Sequence, residues 1–454
     1  MFEKGYLEMT TTREEGASSI GREEGALTKF QARPAWGILA LLVLFMLVNY
    51  ADRTVLALAG QPLMDELKIS PSQFGFISSS FYFLYSLSAV ALGIVASKVP
   101  VKWFLAGLTA FWALTQLPIF LFASVGVILA SRIALGAAEG PATAVSHSTA
   151  YSWFPPSKRG LPATLLSAGP ALSQIVVAPI LTLIMVWAGW RSGFLVVAVA
   201  SAAWGLSWLL LGKEGPFKAT TTPAENTPTA VGDDSKKSRR SEIKRALLSR
   251  TSLGLFAATF PVFGLTTVIL SWMPAYLEGG LGFTTATSGF IFALPAAASL
   301  VCMLMVGSLG DRLLSNGRSQ RLTWVKLPVA TLVVGAVLIM LVPFIGGENR
   351  IIGLVFLIVG FGLVNPIVPI SFAAVGTIAG AGQRTVVLSI FVAVVTLSGV
   401  IAPWLTGIAV DLAATRIAGY NMVFVVISVV MIAGGLVAWI LANPDRDAAV
   451  EKIG

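Results

Sequence analysis

The sequence predicts an all-α integral membrane protein with twelve transmembrane helices in two halves of six. Composition is the first reason: of 454 residues, 56% are hydrophobic and only 12% are charged, whereas a soluble protein carries about a quarter charged residues. The second reason is that the apolar residues form runs long enough to cross a bilayer, which takes about 20 residues per helix. Barrel strands would instead give alternating segments of about ten residues.

The apolar runs divide into twelve predicted spans. In the first half they cover residues 35–60, 74–97, 101–123, 125–150, 161–187 and 189–211. In the second half they cover residues 252–277, 284–309, 322–345, 350–378, 383–412 and 418–441. The predicted organisation is a tail over 1–34, a helix bundle over 35–211, a linker over 212–250, a bundle over 251–442 and a tail over 443–454. The linker is rich in Thr, Pro, Ser and Lys, which is typical of a mobile connection.

Lysine and arginine residues collect in alternate loops between the spans. The base-rich loops carry Lys98, Lys102, Lys158, Arg159, Lys236, Lys237, Arg239, Arg240, Arg312, Arg318, Arg321 and Arg384. By the positive-inside rule these loops are cytoplasmic, and an even number of helices puts both termini there as well. The first 33 residues do not have the pattern of a signal peptide. We therefore expect a multi-pass protein of the inner (plasma) membrane, and we interpret the net charge of +9 as a topology signal without a nucleic-acid partner.

Four ionisable residues lie inside predicted spans of the first half: Asp52, Arg53, Arg132 and Glu139. On insertion scales each charge at the bilayer centre costs about 2.5–3.5 kcal/mol, and such residues usually mark substrate or proton routes. Arg132 and Glu139 are two helical turns apart and share a face, which must point into the bundle. An ion-pair cluster that only joins helices 1 and 4 is the alternative. The sequence does not decide which acid pairs with which base.

The four charges suggest two roles. Arg53 keeps its charge and can grip a carboxylate at two points, so we expect it to bind an anionic group of a substrate. Asp52 or Glu139 would carry a coupled proton, because burial favours the neutral form of a carboxyl group. Protonation would release a neighbouring arginine from its partner and so couple proton binding to anion binding.

Three segments resemble a known family: NYADR at 49–53, RIALGAAEGP at 132–141 and SWFPPSKRG at 152–160. They are similar to the anion:cation symporters of the major facilitator superfamily, which include permeases for sugar acids and aromatic acids. GSLGDR at 307–312 resembles a loop motif of the same superfamily. The resemblance implies the major facilitator fold, with substrate bound near the midplane between the two halves.

The same resemblance implies roles for individual residues. Arg53 is similar to a ligand of the substrate carboxylate. Asp52 and Glu139 resemble the pair of acids that are protonated, and Arg132 matches the arginine that acts on the glutamate. The further residues expected at the substrate site are Tyr50, Tyr85, Gln174, Asn365, Phe372 and Thr396. Sugar-acid permeases have an amide side chain where this chain has Pro170, so Gln174 would have to substitute. The few hydroxyl groups of this lining favour an aromatic or short-chain carboxylate.

We therefore expect a secondary active transporter, not an enzyme, that carries protons and a small organic anion together by alternating access. We expect it to work as a monomer in the lipid bilayer, without a cofactor or metal. Two alternatives stay open: a spinster-like or drug-type exporter of amphipathic molecules, and an organophosphate antiporter. The antiporter would need a second cation on helix 7, and residues 251–277 contain none. His147, the single histidine, either relays protons or is a polar residue near a helix end.

Overall fold

The structure is a computed structural model that describes residues 31–96, 98–122, 124–155, 158–217, 241–346, 349–379 and 383–451. Within these ranges the regular structure consists of helices, and eleven of them are long and apolar enough to cross a membrane. The twelfth predicted span is also helical but is divided at Phe81, whose dihedral angles (φ −55°, ψ −39°) are themselves helical. The prediction of twelve spanning helices is therefore confirmed.

We number the spanning helices α1 to α12 in chain order. The first half contains α1 (Ala32–Leu67), α2 (Pro71–Ser80 and Tyr82–Ala96), α3 (Val101–Phe122), α4 (Val125–Glu139 and Ala142–Tyr151), α5 (Gly160–Ser167, Gly169–Leu172, Ser173–Val177 and Ala178–Ala188) and α6 (Trp190–Leu211). The second half contains α7 (Arg250–Ala275 and Tyr276–Gly280), α8 (Thr285–Ile291 and Leu294–Ser315), α9 (Arg321–Lys326 and Leu327–Gly346), α10 (Arg350–Val364 and Ile367–Ile378), α11 (Arg384–Leu412) and α12 (Arg416–Leu441). A short helix, α13 (Pro444–Glu451), follows.

The differences from the predicted spans have local causes. α1 continues past residue 60 to Leu67 and ends at Lys68, which takes a left-handed conformation with φ of 52°. α8 continues to Ser315, so Asp311 and Arg312 lie in its last turns. In the sequence, this segment resembled a loop motif. α5 is interrupted at Ala168 and then widens into a π-helix, while α10 is interrupted at a proline, which cannot donate a backbone hydrogen bond.

The two halves meet along three pairs of helices: α1 with α7, α2 with α11, and α5 with α8. Because each half contains six spans, α1 and α7 begin at the same end of the bundle at which α6 and α12 finish. We call this end the terminal face, and the opposite end the far face. We call the region between these facing helices, α1, α2, α7 and α11, the central space.

The halves are closed against each other at the far face, where the start of α2 packs on the end of α11. The backbone N–H of Ser72 donates to Asp411 Oδ2 at 2.9 Å. A Cβ atom on Gly75 would lie 2.5 Å from the carbonyl oxygen of Pro403, and one on Gly407 would collide with the Pro71 carbonyl group. These glycines therefore permit backbone-to-backbone contact between the halves at this end.

Part of the predicted linker and the last residues are folded on the terminal face. Residues 241–247 form a helix, and Ile243 and Leu247 from it pack on the hydrophobic core of the second half. The C-terminal helix α13 is fixed by Asp447, which accepts hydrogen bonds from the backbone N–H and the hydroxyl group of Thr251 at 3.1 and 2.6 Å. Residues 1–30 of the predicted tail and 218–240 of the predicted mobile linker lie outside the described residues.

Candidate functional site

A buried ion pair lies in the middle of the first half, between α1 and α4. Arg53 Nη2 donates to Glu139 Oε2 at 2.6 Å; the side chain of Arg53 is 11% exposed and that of Glu139 is fully buried. Three aromatic rings surround the guanidinium group, with centroids 4.6 Å (Tyr50), 4.6 Å (Phe81) and 5.2 Å (Tyr85) from its central carbon. Ring faces attract a cation, so the rings and Glu139 together hold Arg53 in place.

A second buried network lies next to the ion pair and joins α1, α3 and α4. Gln116 Nε2 donates to Asp52 Oδ1 at 2.5 Å, and Gln116 Oε1 accepts from Arg132 Nη2 at 3.0 Å. Arg132 Nη1 also donates to the backbone carbonyl of Asp52 at 2.8 Å. All three residues are at most 1% exposed. Arg132 thus binds Gln116 and the backbone of α1, and in this structure the partner of Glu139 is Arg53.

Each buried acid has one oxygen atom that accepts no hydrogen bond of ordinary geometry among the described residues. These atoms are Oδ2 of Asp52 and Oε1 of Glu139, and the buried amide of Asn49 lies near the latter acid. A buried polar atom left unpaired costs about 1–3 kcal/mol, so such atoms tend to occur where a group changes its partner or its protonation state. The arrangement can therefore accept a proton on either acid without first breaking the hydrogen bond made by the other oxygen.

The segment of α2 around Phe81 connects this site to the second half. The ring of Phe81 lies on Arg53, while the Phe81 carbonyl lies so close to Gly136 of α4 that a Cβ there would collide with it. The next residue, Tyr82, packs on Phe263 of α7 with ring centroids 6.4 Å apart. On α11, the position of Gly399 leaves room for the Tyr82 ring. Two consecutive residues thus contact both the arginine and the facing half.

The other predicted lining residues lie further from Arg53. Gln174 is half-buried in the π-helical part of α5, and its Oε1 has no hydrogen-bond partner in the described part of the chain. Asn365 Oδ1 accepts from Thr266 at 3.4 Å, and its Nδ2 donates to the Phe361 carbonyl at 2.8 Å. Phe372 packs edge-on against Phe391 at 5.8 Å. Thr396 donates to the Ala393 carbonyl at 2.9 Å and lies one turn before Gly399.

His147 lies on the terminal-face part of α4, where it joins α4 to α5. Its Nδ1 is 2.9 Å from the Thr143 carbonyl, and its Nε2 is 3.4 Å from the hydroxyl oxygen of Ser167. Two turns of helix separate it from Glu139, about 12 Å along the axis by the rise per residue. These contacts place His147 in the packing of α4 on α5, outside the two charged networks.

Gln116 is the site residue that the sequence analysis missed. It is fully buried and contacts both Asp52 and Arg132. The available signal was weak: a single amide side chain within the otherwise largely apolar helix Val101–Phe122. Such an amide also occurs as an ordinary packing residue, and only the folded positions of α1 and α4 identify its partners.

Comparison with known proteins decides the family. A sequence profile of the Major Facilitator Superfamily matches residues 42–403. The chain belongs to this superfamily. The expected fold is thereby confirmed, and the family consists of transporters, not enzymes.

Relatives of this superfamily member include bacterial transporters of organic anions. A probable galactarate/D-glucarate transporter of Bacillus subtilis, GudP, is 28% identical over 63% of this chain and 66% of its own length. A hexuronate transporter of the same organism is 25% identical over 60% and 64%. A probable sulfoacetate transporter of Cupriavidus necator, SauU, is 26% identical over 63% and 67%. The chain thus spans about two thirds of the length of the relatives it matches.

Solved structures agree on the fold. A bacterial homolog of the human lysosomal transporter Spinster, in an inward-facing and unoccupied conformation, aligns with a TM-score of 0.72 over 92% of this chain and 99% of that one, at 16% identity. A D-xylose-proton symporter aligns with a TM-score of 0.73 over 91% and 99%, at 15% identity. At such identities the likeness concerns the fold alone.

Proposed function

We propose that the protein is a secondary active transporter that carries a small organic anion together with protons by alternating access. It works as a monomer in the inner membrane, with both termini in the cytoplasm. The observation that supports this most directly is the buried pair of Arg53 and Glu139, in which the only part-exposed member is the cation. An anion entering the central space meets an arginine that is already desolvated, oriented by three rings and held by a single carboxylate oxygen.

Exchange of partners at Arg53 couples the two ligands. While Glu139 is ionised it occupies Arg53, and a substrate carboxylate has to compete with it. A proton on Glu139 removes that competition, and the substrate can take both donors of the guanidinium fork. Because coupling between two binding sites is reciprocal, the bound anion must favour the protonated form of Glu139 by the same factor. The proton and the anion then bind and leave together.

The network of Asp52, Gln116 and Arg132 supplies the fixed part of the site. Arg132 holds the backbone of α1 at the residue before Arg53, so the position of Arg53 depends on this contact. Asp52 is the second candidate for carrying a proton, since one of its oxygens is unpaired. Two carboxylates in neighbouring networks titrate as a pair, and both are included in the proposal.

The substrate class follows from the arginine and from the relatives. The relatives are named as transporters of galactarate and D-glucarate, of hexuronate and of sulfoacetate, which are small organic anions. A fixed guanidinium suits all of them. The few hydroxyl groups among the lining residues expected from the sequence favour an anion with an apolar part.

Uptake into proteoliposomes tests the proposal. The purified protein is reconstituted, a pH gradient is imposed, and sugar acids, sulfoacetate, short-chain acids and aromatic acids are offered as labelled substrates. We expect at least one of them to accumulate with the proton gradient and to lose accumulation when a protonophore is added. Empty liposomes are the control. Uptake that ignores the pH gradient, or follows a sodium gradient instead, would contradict proton coupling.

A further inference from the structure

The terminal face carries a concentrated positive charge that the transport proposal does not use. Residues 236–250 contain seven lysines and arginines and a single acid, Glu242, and thus contribute +6 of the formal net charge of +9. Residues 236–240 lie outside the described residues, so the structural argument rests on Lys244, Arg245 and Arg250. Excess positive charge beside the ends of membrane spans is a feature of segments that bind anionic lipids.

The helix over 241–247 presents this charge in a fixed orientation. Its apolar side, formed by Ile243, Ala246 and Leu247, packs on the second half. Lys244 and Arg245 are exposed on the opposite side, and Leu248 follows with 55% of its surface exposed. An amphipathic helix with basic residues beside an exposed leucine suits the boundary between headgroups and acyl chains.

The basic side chains line a cleft of about 680 Å³ at the ends of α7, α10 and α11. Lys244 and Arg245 come from the short helix, Arg250 from the start of α7, and Arg446 from α13, while Ile378 forms part of the apolar wall. The cleft therefore lies at the level where the spans end, which in a bilayer is the level of the lipid phosphate groups.

Two acids, Glu242 and Asp447, line the cleft beside its four cations, so its formal charge stays positive. Asp447 already accepts from Thr251 and from Arg446 Nε, the latter at 2.7 Å. These hydrogen bonds and the charge of Arg446 hold its pKa below the ordinary value despite partial burial, which acts the other way. Among the described residues, the side chains of Lys244, Arg245 and Arg250 form no ion pair with an acid of the cleft.

We propose that this cleft binds the phosphate headgroup of an anionic phospholipid. Lys244, Arg245 and Arg250 meet the phosphate group and any further negative charge of the headgroup, while Leu248 and Ile378 contact the glycerol and the first carbons of the acyl chains. A bound lipid would hold the start of α7 and helix α13 at the membrane surface. This site is independent of the transport proposal, because it shares no residue with the Arg53 network.

Native mass spectrometry of the full-length protein in detergent tests the site. Phosphatidylglycerol and phosphatidylcholine are titrated separately, and inorganic phosphate is added as a competitor. We expect phosphatidylglycerol to be retained more strongly than phosphatidylcholine and not to be displaced by inorganic phosphate at equal concentration. Equal retention of the two lipids would overturn the proposal, and displacement by inorganic phosphate would show that the cleft binds free phosphate and not a lipid.

Substitutions locate the binding. In the variant K244Q/R245Q/R250Q we expect retention of phosphatidylglycerol to weaken at least tenfold, which corresponds to about 1.4 kcal/mol. The matched control K98Q/K102Q/R318Q removes the same charge from the terminal face away from the cleft, and we expect it to bind as the parent does. Equal weakening in both variants, or in neither, would refute a specific site. Thermal unfolding of both variants checks that they are folded.

Discussion

Replacement of Glu139 by glutamine should separate substrate binding from proton coupling. The substitution keeps the shape of the side chain and fixes a neutral group beside Arg53. In the parent protein, Arg53 Nη2 is held by a charged oxygen at 2.6 Å. In the variant the amide offers Arg53 only a neutral hydrogen bond, so a substrate carboxylate has a weaker competitor for the guanidinium group.

The magnitude follows from the bond that the substrate no longer has to displace. A hydrogen bond to a charged group contributes about 1.5–3 kcal/mol, which is roughly a 10- to 150-fold change in affinity. We therefore expect Glu139→Gln to bind substrate about 10- to 150-fold more tightly than the parent at alkaline pH. The difference should shrink as the pH falls, because protonation of Glu139 in the parent removes the same competitor.

Two assays measure the effect. Isothermal titration of substrate across a range of pH gives the affinities of the parent and the variant. In proteoliposomes the variant should still exchange substrate in counterflow, but it should not accumulate substrate when a proton gradient is imposed. Asp52→Asn is the companion variant, since Asp52 is the other buried acid. Weaker binding in Glu139→Gln, or undiminished proton-driven accumulation, would refute the exchange of partners at Arg53.

Four other changes test the remaining arguments. Arg53→Lys keeps the charge but loses the planar fork, so substrate affinity should fall at least tenfold while the thermal unfolding of the protein stays close to that of the parent; unchanged affinity would make Arg53 structural. Gln116→Leu removes two buried hydrogen bonds to charged groups, worth about 1.5–3 kcal/mol each, and should lower the unfolding temperature in a thermal melt; an unchanged melt would argue against the network. Gly75→Ala should hold the far face open, seen as increased labelling of a cysteine introduced at that face in a variant without Cys302, the one cysteine of the chain; Gly93→Ala on the same helix, where a Cβ meets nothing within 4 Å, is the control and should leave the labelling unchanged. A cysteine at Ser235, in a variant without the native cysteine, should react only with reagents on the cytoplasmic side, and labelling from outside intact cells would reverse the predicted topology.

The fold was accessible from sequence because apolar runs of about 20 residues have few alternatives in a membrane. The interruptions were less accessible. The sequence shows a proline at the interruptions of α5 and α10, but it contains no such signal at Phe81, where the backbone keeps helical dihedral angles. The short helix over 241–247 was missed because its apolar face consists of only three residues. Such a face indicates a helix only when the residues it packs on are known.

The sequence identified the four charged residues of the first half but left their pairing open. Sequence spacing put Arg132 and Glu139 on one face of α4, which limits their position but not their partners. The structure gives each of them a different partner, Arg53 for Glu139 and Gln116 for Arg132. The pairing depends on the relative positions of α1, α3 and α4 along the bundle axis. Packing across the whole bundle sets these positions, so no single segment of the sequence reveals them.

Two consecutive residues of α2 carry the contacts that relate the buried arginine to the facing half. Phe81 lies on Arg53, and Tyr82 packs on α7. Towards the far face, the same helix is fixed to α11 through Ser72 and Gly75. Because the backbone at Phe81 keeps helical dihedral angles, a displacement of its ring would pass along one continuous helix to the contact surface between the halves.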